Sequence, residues 1–283
     1  EIRNDRKPVD DKSAGVTEVW VDLNGDGKEQ PEEVQTREGA IYFAGSNSWS
    51  LNLGADMALY GLDWLDKKLK ALPMDGFAKK GAPKYDLAKL KAMPDAMSAG
   101  YERNNSCALP SADNKTILVN LAVKDHPAGF LWHGFDMGTG KLLWTYPNPF
   151  FQVHGSHRAP APEPGLFRGA FGPVGAVSDK GAGDFWIING NLGEWNALTS
   201  DGFFLTRLFS GNIFEWQWPA EATPGVDMTS LPPGCGGEDF GGSVTQGKDG
   251  KIYVQSGKMA IWNIALSGLD QTVPIPGGKL TLS

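Results

Sequence analysis

Cysteine is scarce in this chain: Cys107 and Cys235 are the only two in 283 residues. They show no Cys-x-x-Cys or haem-attachment spacing, which excludes a disulfide scaffold and a covalently attached haem. Each follows a polar or Gly-rich loop, so a bridge between two distant loops and two separate thiols both stay open. Long apolar runs are missing as well. No stretch approaches the roughly eighteen uninterrupted apolar residues of a spanning helix, and a soluble chain is expected. Positive charge is in deficit: 26 Lys and Arg against 33 Asp and Glu leave a net charge of −7, with no basic run. That argues against nucleic acid as a partner. The chain opens Glu1-Ile-Arg-Asn-Asp-Arg-Lys7, without an initiator Met or an apolar leader, and reads as a mature or trimmed product.

Turn formers and aromatics are plentiful. Gly 37, Pro 19, Trp 10 and Phe 14, beside only 21% charged residues, suit many short strands with aromatic wedges between sheets better than helices. An all-β fold is expected. The clearest unit is Leu131 to Trp144, Leu-Trp-His-Gly-Phe-Asp-Met-Gly-Thr-Gly-Lys-Leu-Leu-Trp. Apolar residues run to Asp136, Gly138 and Gly140 supply the turn, and a second strand departs from Lys141, giving a hairpin. Asn191 to Leu205 repeats the grammar, with Gly193, Trp195 and an Asp201-Gly202 turn.

The most specific motif follows a strand over Val16–Val21. In Asp22-Leu-Asn24-Gly-Asp26-Gly27-Lys28-Glu-Gln30-Pro-Glu-Glu33, oxygen-bearing side chains stand at loop positions one, three and five, Gly at six and Glu at twelve. This matches the EF-hand calcium loop position by position. Calcium takes several hard oxygen ligands. Asp22, Asn24 and Asp26 would supply side-chain oxygens, Lys28 its backbone carbonyl, Gln30 a direct or water-mediated oxygen, and Glu33 a two-oxygen clamp. The flanks are strand and Pro31 rather than two helices, so the expectation is a structural calcium loop grafted onto a β-sheet, not a sensor. A solvated Asx-Gly turn without metal is the plainer alternative.

The remainder carries less chemistry. Residues 1–14 read as a tail or edge segment. Ile41–Leu53 reads as two short strands, Met57–Leu62 as another, and Asp63–Leu72 as a short helix or an outer strand. The lysines of Phe77–Met93 read as a solvated face or edge protection, and Tyr101–Asp113 as loop. Further strands are expected over Thr116–Val123, Gly169–Val177, Asp184–Asn189, Gly241–Val244, Lys251–Gly257 and Ala260–Leu266. Long insertions fall near residues 63–113 and 215–240. All four histidines, His126, His133, His154 and His157, lie within 32 residues. His154, His157 and Arg158 form the only compact set able to supply a base and charge neutralisation, although hydrogen bonding to loop backbone explains them as simply.

These motifs together give the chain a resemblance to secreted bacterial quinoprotein-like or NHL-like β-propeller proteins. The matching stretches are Val19–Gln35, Gly76–Leu87, Phe135–Trp144, Val153–Pro160 and Asn189–Gly202. The resemblance implies a β-propeller of four-stranded antiparallel blades over 15–283, with a Trp wedged between neighbouring blades. It also implies calcium at Asp22–Glu33 and an extracytoplasmic location. Roughly four or five blade-like units can be counted, which leaves room for blades from another chain or from a larger protein. Three functions follow: a module binding polysaccharide or a protein partner, a quinoprotein oxidoreductase, and a polysaccharide lyase or hydrolase using His154, His157 and Arg158. A PQQ cofactor is disfavoured, because no Cys-Cys pair and no acid, Arg and Asn cluster is in sight. The binding module is the leading expectation, and catalysis stays open because propellers host both.

Overall fold

A computed structural model describes residues 1–5, 15–43, 53–100, 107–150, 165–167, 169–190, 195–208, 242–256 and 261–273. Among them every regular element is a strand or a short 3-10 turn, and no α-helix occurs. The expected all-β class is therefore observed, as a succession of antiparallel sheets.

The first sheet is β1 (Ile2–Asp5), β2 (Val16–Trp20) and β3 (Val34–Glu38) in spatial order. The second holds β4 (Ile41–Tyr42), β5 (Leu59–Asp63) and β6 (Leu69–Leu72). Its last member, β9 (Lys91–Ala92), arrives after a separate hairpin of β7 (Met74–Phe77) and β8 (Pro83–Tyr85). The third sheet is a four-stranded meander of β10 (Ala108–Pro110), β11 (Thr116–Ala122), β12 (Phe130–Asp136) and β13 (Leu142–Pro147). The fourth repeats it with β14 (Ala170–Asp179), β15 (Gly183–Gly190), β16 (Trp195–Thr199) and β17 (Phe204–Leu208). β18 (Gly242–Gln246), β19 (Ile252–Ser256) and β20 (Ile261–Ile264) form the fifth.

The sheets stack face to face in chain order. Val19 and Val21 of the first pack with Ile41, Leu59 and Leu72 of the second. Tyr60 and Leu69 meet Ala108, Ile117, Val119 and Phe135 of the third. Leu109, Leu118 and Trp132 meet Trp186, Ile188 and Leu198 of the fourth. Phe185, Ile187 and Trp195 meet Val244, Ile252 and Val254 of the fifth. The third and fourth sheets are thus covered on both faces, which explains why β11 and β15 read as almost continuous apolar runs instead of alternating ones. Trp132, Trp186 and Trp195 are fully buried in these seams.

Two open readings are resolved and one stretch differs from its sequence reading. Ile2–Asp5, within the span read as tail or edge, pairs with β2 as an edge strand. Asp63–Leu72 takes the strand alternative, not the helix: the end of β5, a tight turn and then β6, because the Leu69 and Leu72 side chains are needed in two sheet seams. Ala108–Pro110, read as loop, is β10: a three-residue edge strand too short to show periodicity. The turn of the central hairpin forms, with Asp136 Oδ1 accepting from the Thr139 backbone N–H at 2.7 Å and from its hydroxyl at 2.8 Å; the positive φ expected of Gly138 and Gly140 is taken by Gly140 alone, at +72°.

Candidate calcium loop and the long-loop end of the sheets

β2 delivers Val21 into the seam with the second sheet, and the next residues must leave it at once. The loop closes where the Val21 N–H donates to the Glu33 carbonyl at 3.1 Å and a 3-10 turn over Pro31–Glu33 leads into β3. Between them the side chains of the motif hold their own backbone. Asp22 accepts from the N–H groups of Gly25 at 2.6 Å and Gly27 at 3.0 Å. Asn24 accepts from Asp26 N–H at 2.7 Å, and Asp26 from Lys28 N–H at 2.8 Å. Gln30 closes the ring, donating to Asp26 Oδ2 at 2.8 Å and accepting from Asn24 Nδ2 at 3.2 Å. Gly27, with φ +75°, makes the bend that the motif assigns to it.

Glu33 is only 4% exposed. Its Oε1 accepts from Leu23 N–H at 2.8 Å and Asn24 N–H at 3.2 Å, and its Oε2 from the Trp20 indole at 3.1 Å. All its partners are neutral. A buried carboxylate without a cation is costly, and the loop around it adds to the cost: residues 22–33 carry five carboxylates against Lys28 and the Arg3 that pairs with Glu29. The six residues singled out from sequence are thus brought into one closed loop. Within it the carboxylates turn to N–H groups, and among the described residues no three Asp, Glu, His or Cys side chains stand close enough together to hold a metal. The donor set is hard oxygen throughout and suits calcium chemically.

This loop shares an end of the stack with the β7–β8 hairpin, whose tip meets it at Gly25, and with the Val123–Gly129 connection. Tight turns at 64–68, 111–115, 137–141, 180–182, 200–203 and 247–251 occupy the opposite end. There neighbouring sheets are tied by short bonds: Asp184 Oδ2 accepts from Asp113 N–H at 2.7 Å, and Gln246 bonds both backbone groups of Ser178, at 2.9 and 3.0 Å. Arg37 and the buried Asp63 pair at 2.8 Å at this end of the first two sheets. The Val123–Gly129 connection and the calcium loop lie away from these ties.

Two histidines fall in the described residues and do unrelated things. His126 is exposed and its Nδ1 accepts from Ala128 N–H at 3.1 Å. His133 is buried in β12, stacked on Phe135 with 5.9 Å between ring centroids and with Nδ1 3.0 Å from the Leu131 carbonyl. Burial holds its pKa below the usual imidazole value, against the pull of that carbonyl. His154, His157, Arg158 and Cys235 lie outside the described residues, while Cys107 is buried at the start of β10.

Sequence reasoning missed one neighbour of the loop. The tip of the β7–β8 hairpin rests on it, so that a Cβ added at Gly25 would sit 3.2 Å from Lys79 Cβ and 3.3 Å from Lys80 Cγ. The available signal was the acid-free run from Gly76 to Tyr85. No protein-family model matches the chain, and no curated protein matches it.

Proposed function

We propose that this chain is a calcium-stabilised β-propeller acting outside the cytoplasm as a module that binds a polysaccharide or a protein partner. Sheets that follow one another in space as they do in sequence, with an indole spanning one of the seams, support the propeller. The closed loop of hard oxygen donors around the cation-free, buried Glu33 supports calcium. Extracellular calcium modules work at roughly 0.1 to 1 mM ion, which fits a loop bearing several exposed ligands.

The observation that carries the binding reading is the segregation of connections. Among the described residues, tight turns tie the sheets at one end, and the calcium loop, the β7–β8 hairpin and the Val123–Gly129 connection lie at the other. Longer connections on a rigid scaffold are where binding surfaces are usually built. Native mass spectrometry with and without chelator, followed by a glycan and protein-partner screen in calcium, tests the reading. Bound calcium together with a retained ligand is the expected result. A chain that carries no calcium and retains nothing would overturn it, and a quinone mass released on denaturation would move it to an oxidoreductase.

A further inference from the structure

The β7–β8 hairpin stands apart from the five stacked sheets. Its base is fixed. Met74, Tyr85 and Leu87 enter the seam between the first and second sheets. The Tyr85 hydroxyl donates to the Met57 carbonyl at 2.8 Å, and the Gln35 amide bonds Tyr85 O at 3.0 Å and Leu87 N–H at 2.8 Å. Its tip is open. Phe77 is 58% exposed, Lys79 and Lys80 are exposed, and Lys84 lies half-exposed beside Gly76.

Residues 76–85 hold three lysines and no acid. Three nearby lysines are matched: Lys68 with Asp95 at 2.9 Å, Lys89 with Asp75 at 2.6 Å, and Lys70 with Asp66. Lys79, Lys80 and Lys84 make no such ion pair among the described residues, although the charge of Lys84 reaches Asp75 and helps to hold its carboxyl below the usual range. Lys80 also occupies the left-handed region at φ +56°, where a glycine would sit without strain. In a chain of net charge −7, this is a local inversion of sign on a rigid support.

We propose that this tip binds an acidic polysaccharide, with Phe77 against the apolar face of a sugar ring and Lys79, Lys80 and Lys84 on its carboxylates or sulfates. A sugar polymer alternates C–H faces with spaced negative groups, and one exposed ring flanked by three point charges matches that pattern. Duplex nucleic acid is disfavoured because its bases are stacked between two phosphate backbones and offer no open apolar face to Phe77. A membrane surface would ask for more buried apolar area than one phenylalanine. The neighbouring calcium loop sets a condition. The loop meets the tip at Gly25; its exposed Asp26 and half-buried Asp22 would repel the same polyanion, and a bound divalent cation would mask them. Binding therefore depends on calcium.

This inference rests on the binding-module reading and names its ligand class and surface. The test is titration calorimetry of the full chain in calcium against polygalacturonate and heparin as probes. The wild type is compared with a Lys79→Gln, Lys80→Gly double variant that removes two charges and relieves the backbone at Lys80. Thermal melts check that each variant folds. The expected result is binding that salt and chelator weaken, and a loss of about tenfold in the double variant, equivalent to roughly 1.4 kcal/mol. Phe77→Ala should weaken binding without changing its salt dependence, and Lys180→Gln, at the tight-turn end, should bind as wild type. No binding to either polyanion, or equal binding by the double variant, overturns the inference. If the chain instead retains a neutral glycan or a protein that the double variant also retains, the module reading stands and only this surface is wrong. Retention of single-stranded DNA or anionic vesicles without polysaccharide overturns it too.

Discussion

The indole N–H of Trp144 donates to the carbonyl oxygen of Ser200 at 2.9 Å, and the two residues belong to different sheets. Trp144 lies on the outermost strand of the third sheet and Ser200 in the last turn of the fourth, so one side chain spans the seam. The fit is set by glycines on both sides. A Cβ at Gly134 would sit 2.1 Å from the indole, and one at Gly202 would sit 2.5 Å from it. The aromatic ring replaces backbone hydrogen bonding between sheets that have no ladder in common.

Gly202→Ala should therefore cost more than an ordinary turn substitution. Gly202 has φ +90°, and the added methyl meets the ring. Left-handed strain and overpacking together predict a loss of about 2–4 kcal/mol. Trp144→Phe, which keeps most of the ring but loses the bond to Ser200, should cost about 1–2 kcal/mol. Urea unfolding midpoints at constant m-value measure both. A Gly202→Ala midpoint equal to wild type would show that the wedge does not hold this seam.

Gln35 ties the β7–β8 excursion to the first sheet through one donated and one accepted bond. Gln35→Ala leaves Tyr85 O and Leu87 N–H to find water, and should cost about 1–2 kcal/mol. Hydrogen exchange should show the loss localised to 74–90. A uniform increase in exchange over all five sheets would mean that the excursion is not a separate unit.

The sequence signalled the hairpins that carry their own turn chemistry. Asp136, Thr139 and Gly140 define a turn by local bonds, and Asp22 to Glu33 define a loop by spacing, so both could be read without knowing what lies beside them. β10 could not. Ala108, Leu109 and Pro110 extend because β11 lies on one side and the fourth sheet faces them, which are non-local causes. Asp63 to Leu72 was ambiguous for a related reason: Leu69 and Leu72 fit a helical face and a strand equally, and only the two seams they enter decide. The contact of Lys79 and Lys80 with Gly25 joins residues more than fifty positions apart and has no sequence spacing at all.

His133 gives a pH dependence with a fixed sign. Its folded pKa lies below the ordinary imidazole value of about 6.5 because the ring is buried. Between those two values the unfolded chain binds a proton that the folded chain refuses, so stability is full above about pH 7 and falls as the pH drops through 6. The slope from this group is at most about 1.4 kcal/mol per pH unit. His133→Phe should flatten that part of the profile and His126→Gln, at an exposed turn, should not. Urea midpoints at several pH values between 5 and 8 decide it; the same slope in His133→Phe as in wild type would assign the dependence elsewhere.

Calcium gives the last prediction, and the choice of variant matters. Glu33→Gln is a poor probe, because an amide NH₂ would face the N–H groups of Leu23, Asn24 or Trp20 and destabilise the loop with or without metal. Asp26→Asn is cleaner. Asp26 is exposed and Asn can still accept from Lys28 N–H; the bond from Gln30, which cannot turn its amide while accepting from Asn24, passes to water at an exposed site. In chelator the variant should melt at or slightly above the wild type, since one of five clustered negative charges is gone. In calcium the order should reverse. At an ion concentration a hundredfold above the dissociation constant, the wild type gains about 2.7 kcal/mol, and the variant, short of one anionic ligand, gains less. Melting temperatures of the two proteins in calcium and in chelator make a four-point comparison. If the wild type melts at one temperature in both solutions, the loop holds itself together through Asp22, Asn24, Asp26 and Glu33 alone, and calcium has no part in the fold.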